Sequence, residues 1–512
     1  MTTRYLGDFG DLGNRTIVET RPEDLRDWFE GFVDDGYRLA LVAAHHDPPN
    51  GTTDPVRVVY LLVSGPPDSR IELHVRLPAE QPRVPSLAGQ SFPASRFERE
   101  MHDLFGIEPV GHPRPTRLVL HQHWPEGWHP LRPDAGAPPP FDADESRTYR
   151  FPTVEGPGVY EIPVGPIHAG LIEPGHFRFS VVGETILALN TRLWFVHKGI
   201  ERLFQGRPPH AGVELAERIS GDTAVGHNLA YCLAVEDAAG LPVPSEAKVV
   251  RAVLLELERL HNHVVDIGAL NNDVGFGVVH AHALRIREQL LRLNAKVTGH
   301  RLLRGAITPG GATTLTLPTA ATLDAVAADI GDLVAIAMAN STVVDRFTGT
   351  AVLAADDAAR LGVLGYVARA SGLAVDARRS HPFISHYAQL DVPVRHSGDV
   401  LARFQVRVAE IDASVALLHT LLTDAEPGPH GDTHTDIAPR HDWGGVGIVE
   451  GWRGTIVHRV ELRHDGTLGR VKIVDPSFLN WPALPVALAD TIVPDFPLAN
   501  KSFNLSYAGN DL

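Results

Sequence analysis

Glu256, Arg259 and His263 recur at i, i+3 and i+7 in one apolar segment, so a helix there lines a carboxylate, a guanidinium and an imidazole along one face. Imidazole titrates near neutrality and burial can bring a carboxyl there, so such a set can hold or relay a proton. It can equally be an ion-pair network that fixes helix register, and the spacing leaves both readings open. Glu217, Arg218, Asp222 and His227 form a second set ahead of a long apolar stretch, where Asp222 has the type of a helix cap as well as of a proton carrier. Gly165-Pro166-Ile167-His168-Ala169-Gly170, followed by Glu173-Pro174-Gly175-His176-Phe177-Arg178, reads by itself as a structural loop that happens to carry titratable groups. His121, His123 and His129 around Trp124 and Trp128 are too irregularly spaced for a metal site and read as interface packing.

Several chemistries are excluded. Gly445-x-Gly447 continues to Glu450 where the dinucleotide fingerprint needs a third small residue, and no Gly-x-x-x-x-Gly-Lys-Ser/Thr loop occurs. There is no His-Glu-x-x-His, and His261 and His263 fall on different helix faces, a poor pair of metal ligands. A single cysteine, Cys232, excludes internal disulfides, and it excludes any cysteine-ligated iron-sulfur cluster or multi-thiolate metal site built by this chain alone.

The elements that must position these groups divide the chain. Leu25 to Phe32, entered through Arg21-Pro22-Glu23-Asp24, has a helical start signal, and Val56 to Leu77 reads as two strands around Ser64-Gly65-Pro66-Pro67. Pro130 to Pro152 is rich in Pro, Asp and Ala and reads as a linker. Beyond it, Phe177 to Asn190 reads as a hairpin turning at Gly183-Glu184. Helical patterns follow over Ala216–Ala239, Glu246–Leu270, His280–Thr298, Ala320–Thr348 and Val400–Leu422, with Val253, Leu257, Leu260 and Val264 giving the second its apolar stripe. Thr455–Leu462 and Leu468–Val474 flank the turn signal His464-Asp465-Gly466, and the last residues, from Pro494, are too apolar for a disordered tail. The fold class is thus an α+β N-terminal domain, residues 1–130, a linker, 131–152, and a mainly helical domain with small β elements, 153–512.

The length of 512 residues suits two or three folding units of about 100 to 200 residues. A formal charge of −16 with no Lys/Arg run argues against nucleic acid as a partner. The start, MTTRYLGDFGDLG, lacks the apolar run of a signal peptide, and no stretch approaches the ~18 apolar residues of a membrane span, so a cytoplasmic chain is expected.

Phe97–Ile107, FEREMHDLFGI, followed by Gly111-His112-Pro113, resembles the signature of the C-type subunit of bacterial NADH:quinone oxidoreductase, complex I. The rest resembles the D-type subunit of that complex and the large subunit of group 4 membrane-bound [NiFe] hydrogenases, of the hydrogenase-4, formate hydrogenlyase and energy-converting hydrogenase-related kinds. The segments that carry this are Gly165-Pro166-Ile167-His168, Glu173 to Arg178, Val196 to Glu201, Glu256 to His263 and Asp475-Pro476-Ser477-Phe478. Where hydrogenases place four nickel-binding cysteines, this chain reads Ser220, Thr223, Ser477 and Asn480, neutral and weak ligands that imply loss of the nickel site and of hydrogenase activity. Gly221 matches a tyrosine of the complex I quinone site, Ile172 and Glu173 fall where that family has a second histidine, and Glu173 matches a hydrogenase proton-transfer glutamate.

The resemblance implies a peripheral-arm subunit of a membrane-bound, ion-translocating oxidoreductase on the cytoplasmic face of the membrane. It implies a nickel-free acceptor cavity with quinone as the candidate acceptor. His168, Glu173, Arg218, Asp222 and His227 would be its working groups, and His176, Arg178, Ser220, Thr223, Ser477 and Asn480 would contact the acceptor. Glu256, Arg259 and His263 would be the proton and coupling network. This chain would bind no metal or covalent cofactor. A small iron-sulfur subunit would supply a 4Fe-4S cluster, and integral membrane subunits of a complex I or hydrogenase-4-like assembly would anchor it. The alternative is a non-catalytic scaffold that docks the iron-sulfur subunit to the membrane arm, closed around Ser220, Thr223, Ser477 and Asn480.

Overall fold

The computed structural model describes residues 14–47, 55–141, 149–169, 172–432, 437–440 and 444–512. Gly170, residues 142–148 of the linker and the first thirteen residues lie outside these. Two compact units form, one of residues 1–152 with 193–197 and 511, the other of 153–192, 198–510 and 512.

In the first unit, four strands pair in the order Arg15–Thr20, Ser69–Leu77, Val56–Ser64, Arg38–His46; the first pair is parallel and the others antiparallel. Val58 to Val63 are buried without alternation, as in a strand covered on both faces. The helix Phe92–Phe105 contacts the strand Arg38–His46 and carries the FEREMHDLF segment. Its acids organise this chain's own loops: Asp103 accepts from the amides of Leu118, Val119 and Leu120 at 2.8, 2.8 and 3.1 Å, and Glu98 accepts from Ser86 Oγ and the Leu87 amide. Three amide donors satisfy a buried carboxylate, so these residues fix loop geometry.

The second unit is mainly helical; the two expected strand pairs are present, and each gains a third strand that the hairpin signals did not show, Val159–Val164 and Gly445–Gly451. His176–Val182 and Thr185–Arg192 pair around Gly183, whose positive φ of 58° suits glycine. The helix Ser245–Asp273 packs against Gly277–Thr298 and Val400–Leu421, and its middle is buried all round, polar residues included. Two expected helices are broken. Ala216–Ala239 is two helices, Pro209–Ala216 and Ala224–Ala239, because Ser220, Asp222 and Thr223 bond one another through their side chains instead of continuing the helix. Ala320–Thr348 breaks at Asn340, whose side chain caps the following helix by accepting from the Thr342 amide.

The strands Gly445–Gly451, Gly454–Leu462 and Leu468–Val474 form an antiparallel sheet that lies on the helix Ala224–Ala239. A Cβ at Gly445 or Gly447 would be driven into the carbonyls of Ala234 or Ala230. The Gly-x-Gly pair thus serves backbone approach between strand and helix, and a dinucleotide loop has no part in it.

Candidate functional site

The break between the two helices carries the candidate site. Asp222 sits in that turn and Arg453 at the tip of the hairpin Gly445–Leu462, and they meet in a bidentate pair, Nη1 to Oδ1 at 2.6 Å and Nη2 to Oδ2 at 2.7 Å. Arg453 is almost buried, its side chain 5% exposed, whereas Asp222 keeps 39% of its side chain in solvent. Burial alone would raise the Asp222 carboxyl, but the Arg453 charge and its hydrogen bonds, with those of Ser220 and Thr223, bring it well below the usual range. Arg453 also donates to the Asn504 carbonyl at 2.6 Å and stacks over Trp452 with its guanidinium 3.9 Å from the ring centre.

The four residues that the resemblance sets at thiolate positions, Ser220, Thr223, Ser477 and Asn480, are buried and engaged. Ser220 Oγ lies 3.0 Å from Asp222 Oδ1 and 2.8 Å from Ser506 Oγ. Thr223 Oγ1 donates to Asp222 and accepts from Trp452 Nε1 at 3.1 Å. Ser477 Oγ accepts from the Ser506 amide at 2.9 Å, and the Asn480 amide bonds both the N–H and the C=O of Leu364. Ser506 therefore stitches the Ser220 turn to the Ser477 segment, while Asn480 holds the segment whose Gly365 abuts the Arg453 backbone. Neutral hydroxyls and an amide, each already bonded to other residues, do not fit a thiolate-bound nickel centre. Cys232 is buried with Sγ 3.5 Å from Asn228 Oδ1, and among the described residues no group of three or more His, Cys, Asp or Glu could hold a metal ion.

Behind the turn, His227 bridges Asp475 and His458: Nε2 lies 2.9 Å from Asp475 Oδ2 and Nδ1 3.1 Å from His458 Nε2. Burial, and then the neighbouring His227, push His458 well below the imidazole range. Glu258 accepts from the Val225 and Gly226 amides at 2.7 and 3.0 Å, capping the Ala224–Ala239 helix from inside the protein. Burial carries its carboxyl up to about 8 in spite of those donors, with the Asp222 charge adding to the rise.

The other sequence candidates are dispersed. Glu173 is brought close, its Oε2 accepting from the amide of Ala508, two residues after Ser506. His168 bonds the Gly175 carbonyl at 2.7 Å and His176 the Gly165 carbonyl at 3.1 Å, both bracing the loop, and Arg178 pairs with Glu161 at 3.6 Å across two strands. Arg218 turns to Glu214 at 3.1 Å and is half exposed, so the guanidinium that holds Asp222 is Arg453 instead. Glu256, Arg259 and His263 do share one buried network. Arg259 Nε reaches Glu256 at 2.9 Å, and His263 Nε2 reaches Glu410 at 2.7 Å.

Sequence reasoning missed Arg453, His458 and Glu410, which lie about 150 to 230 residues from the groups they bond, beyond any periodicity argument. Asp475 was visible in its Asp-Pro motif but not as the partner of His227.

Comparison with known proteins agrees with this architecture. Residues 18–140 match the family of the respiratory-chain NADH dehydrogenase 30 Kd subunit, 273–445 that of its 49 Kd subunit, and 198–272 that of nickel-dependent hydrogenases. Formate hydrogenlyase subunit 5 of Escherichia coli is 31% identical over 452 residues, covering 86% of this chain and 79% of the relative. The C/D subunit of NADH-quinone oxidoreductase from Phocaeicola vulgatus is 28% identical, covering 77% of this chain and 80% of the relative. A chain of the membrane-bound sulfane sulfur reductase, an archaeal respiratory membrane complex, superposes with a TM-score of 0.64 at 25% identity, covering 69% of this chain and 99% of that one. No helix among the described residues is long and apolar enough to cross a membrane. The chain therefore belongs to the family of oxidoreductase subunits that unites the complex I 30 and 49 Kd subunits with the large subunits of formate hydrogenlyase-type hydrogenases, and it is a member with a single cysteine.

Proposed function

We propose that the chain is the peripheral-arm subunit of a membrane-bound, ion-translocating oxidoreductase and that it offers a nickel-free acceptor site at the rim of the Asp222 turn. One observation carries this reading. Gly221 is exposed and a Cβ there would meet no atom within 4 Å, directly beside a half-exposed Asp222 backed by buried Arg453. The acceptor would sit over that opening, not among Ser220, Thr223, Ser477 and Asn480, whose polar groups are already bonded to neighbouring residues.

With a quinone as acceptor, two electrons arrive one at a time from a 4Fe-4S cluster of a small iron-sulfur partner, and two protons complete the quinol O–H bonds. Asp222 is a poor proton source, because Arg453 keeps it ionised near neutrality. Its work is to orient, with Arg453, while the Glu258 carboxyl, raised to about 8, is the nearby group with a proton to give, and His227 holds its place through Asp475. Glu256, Arg259 and His263 would couple the site to integral membrane subunits, with the chain on the cytoplasmic face.

The scaffold reading has its own support in the saturated bonding of Ser220, Thr223, Ser477 and Asn480. It also draws on the loop beside Glu173, where Ile167 is 90% exposed, a side chain suited to a partner surface.

The test is reduction of a quinone analogue by the purified intact complex with a low-potential reductant. Gly221→Trp should fill the opening and abolish turnover while assembly survives, and His227→Ala should slow it. Turnover unchanged in both, and in Asp222→Asn, would sink the acceptor assignment and leave the scaffold.

A further inference from the structure

The network around Glu256 holds more than the three residues that the sequence singled out, and its charges do not balance. Four carboxylates, Glu256, Asp376, Glu410 and Glu450, face three guanidiniums, Arg259, Arg369 and Arg378, and all seven side chains are at most 1% exposed. The remaining titratable members are His263 and Tyr387, whose phenol burial keeps protonated; Arg407 faces His263 while paired at 3.1 Å to Asp266, which the partly exposed Lys501 also reaches at 3.7 Å. An uncompensated carboxylate in such a place is costly, so a buried cluster of this composition takes up a proton.

Where that proton sits can be read from the contacts. Glu256 receives Arg259, Arg378 and the Ser414 hydroxyl. Asp376 takes a bidentate Arg378 and lies 3.4 Å from Arg369. Glu410 takes Arg369, His263 and, at 3.8 Å, Arg259. Among the described residues the Glu450 carboxylate pairs with one guanidinium, Arg369 at 2.8 Å, which Glu410 and Asp376 share, while Arg259 meets only the Glu450 backbone carbonyl, at 2.7 Å. Its other oxygen meets neutral groups, the Ala377 amide at 3.0 Å and the Thr455 hydroxyl at 2.8 Å. That hydroxyl can reverse its role and accept an O–H from Glu450.

The competing position is His263. Its Nε2 serves Glu410, but its Nδ1 is buried without a hydrogen-bond partner, and the ring packs edge-on to Tyr366 and Trp452 at 6.1 and 6.0 Å. An imidazolium would bury an N–H with no acceptor, with Arg407 repelling it.

We infer that the folded chain stores one proton on Glu450, donated to Thr455, and that the Glu256–Arg259–His263 network is a proton-binding site whose exchangeable member is Glu450. The burial of Glu450 and the neighbouring Asp376 charge push its carboxyl in the same direction. Arg369 sets its ionisation, since a shift of that guanidinium toward Glu450 favours loss of the proton and a shift toward Glu410 favours its retention. The inference does not rest on the acceptor site and holds equally for a scaffold.

The test is infrared spectroscopy of the full chain at neutral pH in H₂O and D₂O, where a protonated carboxyl gives a C=O band apart from carboxylates. Glu450→Gln should remove one deuterium-sensitive band that Glu258→Gln leaves in place, and Thr455→Val should shift that same band without removing it. The unfolding constant of the wild type, relative to Glu450→Gln, should also rise about tenfold per pH unit above the carboxyl range of the unfolded chain. Should Glu450→Gln not fold, Thr455→Val decides alone, a shifted band supporting the stored proton. Spectra of both variants that superimpose on the wild type, or an unshifted band in Thr455→Val, overturn it.

Discussion

Arg453→Met is the sharpest test of how the Asp222 turn is held. The substitution keeps an apolar stem against Trp452 and removes the guanidinium. It deletes two short charged hydrogen bonds to Asp222 and one donor to the Asn504 carbonyl, along with the contact over the indole. A fully buried pair of this geometry costs about 3–5 kcal/mol to break and an exposed one under about 1. Asp222 is two-fifths exposed, so water screens the pair and about 1.5 kcal/mol is a fair share. The orphaned carbonyl adds about 1 kcal/mol and the lost cation–π contact about 0.5, so the variant should lose about 3 kcal/mol.

Urea denaturation of wild type, Arg453→Met, Asp222→Asn and the double variant isolates the pair as a coupling energy of about 1.5 kcal/mol. The folded-state carboxyl of Asp222 is depressed below its unfolded value. Its contribution is therefore complete above about pH 4 and disappears as pH falls through the folded value. Coupling should persist at pH 7 and shrink toward pH 2. Single variants that add to within about 0.3 kcal/mol at pH 7, or a coupling indifferent to acid, would refute the reasoning.

Glu258 has the opposite sign, since its carboxyl rises to about 8 in the folded chain, so its stabilisation is present at low pH and lost as pH climbs from about 4.5 through 8. Glu258→Gln should flatten that part of the stability profile by about 1.4 kcal/mol per pH unit, and an unchanged profile would contradict the assignment. Gly365→Ala would press a Cβ into the Arg453 carbonyl at a residue with φ of +68° and should cost more than about 3 kcal/mol, measured by thermal unfolding. His227→Ala should leave Asp475 without its imidazole and lower stability by about 3 kcal/mol near neutrality, whereas His227→Gln should recover part of it; equal losses in the two would argue against the Asp475 bond.

Much of the frame was legible because it depends on local pattern. The helix over Glu246–Leu270 appears as Ser245–Asp273, the helix over Val400–Leu422 as Val400–Leu421, and the hairpin at Gly183 and the strands around Asp465-Gly466 stand where turn chemistry put them. The break at 217–223 was only half legible: Asp222 had the type of a helix cap, yet the helical pattern was drawn straight through from Ala216 to Ala239, and the side-chain bonds of Ser220, Asp222 and Thr223 end the first helix there. The absent thiolates were plain from residue types alone. What replaced them was not. Arg453 completes Asp222 from a hairpin tip, and Arg369, Asp376, Arg378, Glu410 and Glu450 complete the Glu256 network from four further elements, so long-range packing decides both.

The two glycines of the strand Gly445–Gly451 have a mechanical meaning. With no side-chain layer between that strand and the helix Ala224–Ala239, the two backbones have no soft padding in which to slide. The helix begins at the Asp222 turn, and the strand carries Glu450, ends at Gly451 and leads into Arg453. The turn and the buried charge network are therefore joined by a stiff strut. A displacement at one end is delivered to the other at nearly full amplitude, and a methyl group inserted at 445 or 447 would act as a shim, prying Arg453 from Asp222 without touching either residue.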